Sequence, residues 1–164
     1  FARPVEDNKS FTGKVFTLDE WNKFKEDFKN SGYESSLNES TKIQISSVKE
    51  IKKEFRFWIV NGRVITGSLY RFGGKVCYDS LVDNGAKWFC AGMVDTMAEG
   101  SYRIADAFVM DIADTDQGYK IVECGCINCA GFYEANLPLL IDALERRFNQ
   151  PNFSNYTKCY PMEN

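Results

Sequence analysis

Two β-forming runs joined by Asn61-Gly62 constrain this chain more than any other feature. Glu54-Phe55-Arg56-Phe57-Trp58-Ile59-Val60 precedes the dipeptide, and Arg63-Val64-Ile65-Thr66-Gly67-Ser68-Leu69-Tyr70 follows it. Both runs are rich in β-branched and aromatic residues. Asn-Gly suits the two positive-φ positions of a type I′ turn, so the segment is predicted to be an antiparallel hairpin. Glu54 and Arg56 are two residues apart and share one face of the first strand, with Trp58 further along it. That face is charged where the other is apolar, which fits either a solvated outer face or a site.

A second hairpin is predicted from strands at 106–112 and 119–123, separated by the turn-rich stretch 113–118. If that turn closes symmetrically, Asp111 and Glu123 come side by side, with Asn128 in the adjoining loop. Two carboxylates and an amide oxygen are hard donors of the kind Mg²⁺ accepts, alongside water and substrate phosphates. Both acids end apolar runs, Ala-Phe-Val-Met before Asp111 and Ile-Val before Glu123, where a purely solvated charge is less expected. The alternative is an exposed acidic pair across a hairpin.

Helical spacing appears three times. Thr17-Leu18-Asp19-Glu20 has the capping-box pattern, and Leu18, Trp21, Phe24 and Phe28 follow as an aromatic stripe expected to be core. Residues 85–97 carry a second stripe of Ala86, Phe89, Cys90, Met93 and Met97. Asn136 can cap a third helix through Leu137, Leu140, Ile141, Leu144 and Phe148, with Pro138 in its first turn. Short β-rich segments are expected at 43–45 and 48–51, an extended start at 1–5, and a tail at 149–164. The resulting fold class is α+β, a mainly antiparallel sheet with flanking helices.

The 164 residues fit one ordinary domain, and 44% apolar content is enough for a core. No apolar run approaches the ~18–20 residues of a spanning helix, so the chain is expected to be soluble and cytoplasmic, without a membrane partner. Twenty basic residues against 23 acidic ones leave a net charge of −3 and no general field for nucleic acid, so any anion site must be local. There is no His, which excludes Ser-His-Asp and Cys-His catalysis within the chain. The six cysteines, in a chain longer than a stapled mini-domain, read as free thiols. Cys124, Cys126 and Cys129 form a C-x-C-x-x-C cluster short of a fourth zinc ligand, which leaves a thiol or zinc protein as a weaker alternative.

Opposite charge is available in Arg3, Lys9, Lys14, Arg56 and Arg71. Backbone N–H groups of the Lys9-Ser10-Phe11-Thr12-Gly13 loop could hold phosphate oxygens. Neither G-x-x-x-x-G-K-[ST] nor G-x-G-x-x-G is present.

Four pieces in order resemble the ATP-grasp superfamily, in the small form common in phage and bacterial genomes. They are Phe-Ala-Arg-Pro-Val-Glu-Asp-Asn-Lys-Ser-Phe-Thr-Gly from Phe1, Glu-Phe-Arg-Phe-Trp-Ile-Val-Asn-Gly-Arg-Val-Ile-Thr-Gly-Ser-Leu-Tyr from Glu54, Phe-Val-Met-Asp-Ile ending at Ile112, and Ile-Val-Glu-Cys-Gly-Cys-Ile-Asn-Cys-Ala-Gly-Phe-Tyr ending at Tyr133. The likeness spans 1–148.

The resemblance implies ATP clamped between two α+β lobes, with Mg²⁺, and a substrate carboxylate activated as an acyl phosphate for attack by an amine. The substrates would be small molecules or peptides. It puts Arg3 near the nucleotide phosphates and Lys9, Ser10, Thr12 and Gly13 on a phosphate-covering loop. Arg56 falls on an Asp/Glu-x-Arg strand with Glu54 as the acid, and is the catalytic candidate; Arg71 joins the nucleotide-binding set. Asp111 and Glu123 match the paired metal acids. The usual third ligand is an Asn two residues after the Glu, where Gly125 stands, so Asn128 is the replacement candidate. The superfamily also has a region before the one matched at Phe1, so a fragment is expected. A non-catalytic nucleotide-binding or interaction module is the rival reading.

Overall fold

The computed structural model describes residues 1–5, 11–30, 37–38, 40–100 and 104–149, without the side chain of Cys129. Lys9, Ser10 and the tail beyond Asn149 lie outside them. The chain forms two compact units, Phe1–Lys49 and a second that begins at Glu50.

In the first unit, β1 (Ala2–Pro4) pairs antiparallel with β2 (Ile43–Ile45), and Arg3 stands opposite Gln44. The helix α1 (Leu18–Asn30) starts with the expected reciprocal cap. Glu20 N–H donates to Thr17 Oγ1 at 3.2 Å, and Thr17 N–H donates to Glu20 Oε2 at 2.7 Å. The expected burial of its stripe is not found. No residue of α1 is buried, and Leu18 is 75% exposed. The aromatic rings instead pack on one another, Trp21 stacked with Phe24 and Phe16 set against both. They border an open groove of about 270 Å³ lined also by Phe11, Phe28 and Ile43. Fewer than fifty residues enclose little interior, so an apolar stripe there remains a surface.

The second unit is built on five antiparallel strands in the order β5-β4-β3-β6-β7. These are β3 (Ile51–Val60), β4 (Arg63–Phe72), β5 (Lys75–Asp79), β6 (Ala107–Thr115) and β7 (Gly118–Cys126). The helix α2 (Asn84–Glu99) intervenes between β5 and β6; a single 3-10 turn (Ile127–Cys129) and α3 (Leu137–Phe148) follow β7. Asn61 and Gly62 have φ of 49° and 72°, as the I′ turn requires. Gly73 and Gly74, at 55° and 76°, make a second such turn that creates β5, which the sequence reading missed. Residues 46–50 are irregular, so the β segment expected at 48–51 reduces to the start of β3.

Alternation along β3 splits the core in two. Phe55, Phe57 and Ile59 face Ala86, Cys90 and Val94 of α2, joined by Met110 and Ile112 of β6. Trp58 and Val60 pack with Val109 and with Leu140 of α3 on the other side. Each such side chain fully removed from water contributes roughly 1.5–3 kcal/mol, which makes β3 and β6 the rigid centre of the unit. Asn136 caps α3 as expected, its Oδ1 accepting from Leu139 N–H at 3.0 Å.

Candidate functional site

On the Trp58 face, two residues back along β3, the apolar cluster gives way to charge. Arg56 pairs with Ser68 of β4 on one side and Asp111 of β6 on the other, and Asp111 pairs in turn with Glu123 of β7. Directly opposed residues in antiparallel strands project to the same face, so Ser68, Arg56, Asp111 and Glu123 form one row across four strands. Arg56 Nε and Nη2 donate to the two Asp111 carboxylate oxygens, each at 2.8 Å, in a bidentate fork. Glu123 Oε1 lies 3.6 Å from Nη2. The Arg56 and Asp111 side chains are 12% and 3% exposed, whereas Glu123 is 52% exposed. The charged face is therefore not a solvated exterior. Asp111 holds the Arg56 guanidinium even more firmly protonated than usual, its hydrogen bonds outweighing the cost of burial.

A second acid is buried beside the row. Glu54 accepts from Tyr70 Oη at 3.0 Å and from Arg71 Nη1 at 3.1 Å. Both neighbours reach it because β4 bulges there: Glu54 pairs with Arg71 and Phe55 with Leu69, leaving Tyr70 as the extra residue. Burial, followed by the charges of Asp111 and Glu54, pushes the Tyr70 phenol up, so it stays a hydrogen-bond donor. Tyr70 stacks on Tyr133, with ring centroids 5.3 Å apart, and Tyr133 stacks on Tyr78 at 4.9 Å. The Arg56 guanidinium carbon lies 5.7 Å from the Tyr70 ring centre and 5.3 Å from that of Tyr133.

A family model for an ATP-grasp domain, the third family of its clade, matches residues 1–147. The chain belongs to this ATP-grasp family. A search of curated proteins returns no match. ATP-grasp domains bind ATP, and their superfamily is of the ATP-dependent ligase type.

Of the residues expected to serve this ATP-grasp domain, Glu54, Arg56, Arg71, Asp111 and Glu123 gather on one face of the five-stranded sheet. Asn128 sits exposed on the 3-10 turn after β7, and no hydrogen bond ties its side chain to the acids. Arg3, Thr12 and Gly13 belong to the first unit. There Arg3 Nε donates to Gln44 Oε1 at 2.9 Å. Thr12 is exposed, and Gly13 approaches the Phe1 ring so closely that a Cβ would meet it at 2.7 Å. Lys14 pairs through its backbone with Ala2. Lys9 and Ser10 lie outside the described residues.

Among the described residues no three His, Cys, Asp or Glu side chains gather as a metal set. Asp111 and Glu123 would need amide, water or phosphate oxygens to complete one. Cys124 and Cys126 are free and exposed, while Cys159 and the Cys129 side chain fall outside the described residues. No helix of the described residues is long and apolar enough to cross a membrane. The three tyrosines around Arg56 were missed by sequence reading. The one available signal was that Tyr70 closes the strand after Asn61-Gly62 and Tyr133 closes the Gly-Phe-Tyr that follows the cysteines.

Proposed function

We propose that this ATP-grasp domain serves an ATP- and Mg²⁺-dependent carboxylate-amine ligase that works through an acyl phosphate. The observation that carries this reading is the Arg56–Asp111–Glu123 row: one buried cation and two carboxylates of unequal exposure, held on neighbouring strands. In the reaction a substrate carboxylate oxygen attacks the γ-phosphorus of ATP and ADP leaves. An amine then attacks the acyl carbon and expels phosphate. Arg56 spends Nε and Nη2 on Asp111, so Nη1 is the edge free to donate to an oxygen of the transferred phosphoryl group. Little covalent help is needed from the protein in such a transfer; positioned charge lowers the barrier.

The donor set suits Mg²⁺, with Glu123 accessible, Asp111 within reach once it shares its oxygens with Arg56, and Asn128 as a third candidate. When bound, the ion neutralises phosphate charge and orients the phosphoryl group. Arg3, Lys9, Ser10, Thr12 and Gly13 are assigned to the nucleotide, as are Glu54 and Arg71. The substrates are small-molecule or peptide carboxylates and amines, and the setting is the cytoplasm.

Glu123→Gln in the full chain should reduce Mg²⁺-dependent ATP turnover by about 10²-fold with circular dichroism and Tm unchanged. Wild-type turnover in that variant would overturn the assignment. A second reading, a nucleotide-binding or interaction module without catalysis, is favoured by one observation: Arg56 already engages both Asp111 oxygens, while Gly125 offers no donor. Calorimetric ATP·Mg²⁺ binding without phosphate release would select it.

A further inference from the structure

Tyr133 has φ of 50°, one of two non-glycine residues with positive φ among the described residues. The other, Asn61, sits in a turn that demands it. A bulky residue in the left-handed region is strained by roughly 1–3 kcal/mol, and persists only where its surroundings over-determine it. Here they do. On the C-terminal side, Glu134 N–H donates to Ser68 Oγ at 3.2 Å and Asn136 N–H to Thr66 Oγ1 at 3.0 Å, both on β4. Ala135 N–H closes the loop on the Phe132 carbonyl at 3.0 Å. The ring is fixed between those of Tyr70 and Tyr78, tilted 17° and 28° from each.

The pinned loop gives Arg56 a third constraint. Asp111 holds its Nε–Nη2 edge in the guanidinium plane, and the Tyr70 and Tyr133 ring centres lie 5.7 and 5.3 Å from its carbon. An ion pair alone leaves an arginine free to rock about the shared edge; aromatic neighbours remove that freedom. We propose that Tyr133 is a positioning residue: pinned to β4 through Ser68 and Thr66, its left-handed backbone aims the ring at Arg56 and fixes where the free Nη1 edge meets an anion. The inference rests on the ligase reading for the identity of that anion, the phosphoryl group of ATP, but not for the geometry of Arg56.

The test uses Tyr133→Phe, Tyr133→Ala and Tyr133→Gly in the full chain, with ATP·Mg²⁺ turnover, Tm, and the ¹⁵N NMR signals of the Arg56 guanidinium as readouts. Hindered guanidinium rotation resolves the Nη protons; Tyr133→Phe should keep that pattern and most of the turnover, since no hydrogen bond to the Tyr133 hydroxyl is involved. Tyr133→Ala and Tyr133→Gly should lose the pattern and lower kcat by about 10²-fold with KM for ATP little changed. Glycine relieves the backbone strain, so Tyr133→Gly should melt above Tyr133→Ala while being no more active. A merely structural role would make turnover follow Tm. Arg56 signals unchanged in Tyr133→Ala, or activity that tracks Tm across the set, would overturn the proposal. If the wild type turns over no ATP, the ligase reading fails by itself and the NMR comparison alone decides the role of Tyr133.

Discussion

Glu123 stands opposite Asp111 because Val122 is an extra residue in the β6–β7 ladder. Ile112 pairs with Ile121 and Asp111 with Glu123, so the register shifts by one between them. Along the hairpin from its turn, where Thr115 pairs with Gly118, an unshifted ladder would set Val122 against Asp111 and turn Glu123 to the α2 face. The bulge is what carries the second carboxylate to the Arg56 face.

The unequal burial of that row separates its energetics. Arg56 and Asp111 are nearly enclosed, so removing either leaves a buried charge unpaired; Asp111→Ala or Arg56→Ala should each cost about 3–5 kcal/mol. Arg56→Met with Asp111→Leu should recover much of that loss, a coupling that urea denaturation of the four-member cycle reads directly. Glu123 is half-exposed and 3.6 Å away, so Glu123→Gln should cost under about 1 kcal/mol. A loss for Glu123→Gln equal to that for Asp111→Ala would contradict this division.

Much of this was legible in the sequence because turn chemistry and alternation act locally. Asn61-Gly62 placed the first hairpin, and the shared parity of Glu54 and Arg56 placed their face. What alternation cannot reveal is whether anything covers an apolar stripe, which is why Leu18, Trp21 and Phe24 read as core and are not. Gly73-Gly74 carried a hairpin signal as strong in kind as Asn61-Gly62, but the five-residue β5 after it has little pattern of its own. The second predicted hairpin closes on only Asp116 and Gln117, with Gly118 at φ 81°, where six residues of turn-prone composition suggested a longer loop. The Val122 and Tyr70 bulges leave no mark in composition, because a single inserted residue is set by the pairing partner across the ladder.

Thiol chemistry should sort by burial. Cys90 lies in the α2 core and burial pushes its thiol up to about 12, against an ordinary value of 9.0. Cys77 and Cys126 are exposed. Iodoacetamide at neutral pH should therefore label Cys77 and Cys126 in the native protein and Cys90 only on unfolding, as peptide mapping would show. The sign of the pH effect follows. Between about pH 9 and 12 the unfolded chain releases a Cys90 proton that the native state keeps, so stability falls as pH rises through that window. Tyr70, also raised by burial, acts in the same direction. The urea midpoint should drop between about pH 8 and pH 10, and Cys90→Ala should flatten the slope; an unchanged slope would show that Cys90 is not the titrating group.

Gly125 pairs with Val109 one row beyond Asp111 and Glu123, and a Cβ built there touches only Val109 Cγ2, at an ordinary 3.5 Å. Space for a side chain exists on the acids' own face. Under the proposed function, Gly125→Asn should supply a third oxygen donor and tighten Mn²⁺ binding, measured by electron paramagnetic resonance titration, by about tenfold, or ~1.4 kcal/mol. Gly125→Ala is the control for backbone effects and should leave Mn²⁺ affinity as it was. If both variants bind Mn²⁺ as the parent does, the acids do not hold the ion in the way proposed.

Gly67 offers the opposite case on β4. It pairs with Phe57, whose ring lies so close that a Cβ at position 67 would meet Cδ1 at 2.6 Å and Cε1 at 2.7 Å. Phe57 is fully buried in the cluster under α2 and cannot swing into solvent. Gly67→Ala must therefore displace the ring into neighbours already at packing density, at a cost of about 1–3 kcal/mol. Pairing it with Phe57→Leu, which frees the space taken by the ring edge, should make the alanine far less damaging than in the wild-type background. Chemical denaturation of the two single variants and the double variant measures this; strictly additive losses would mean that the ring is not what excludes a side chain at position 67.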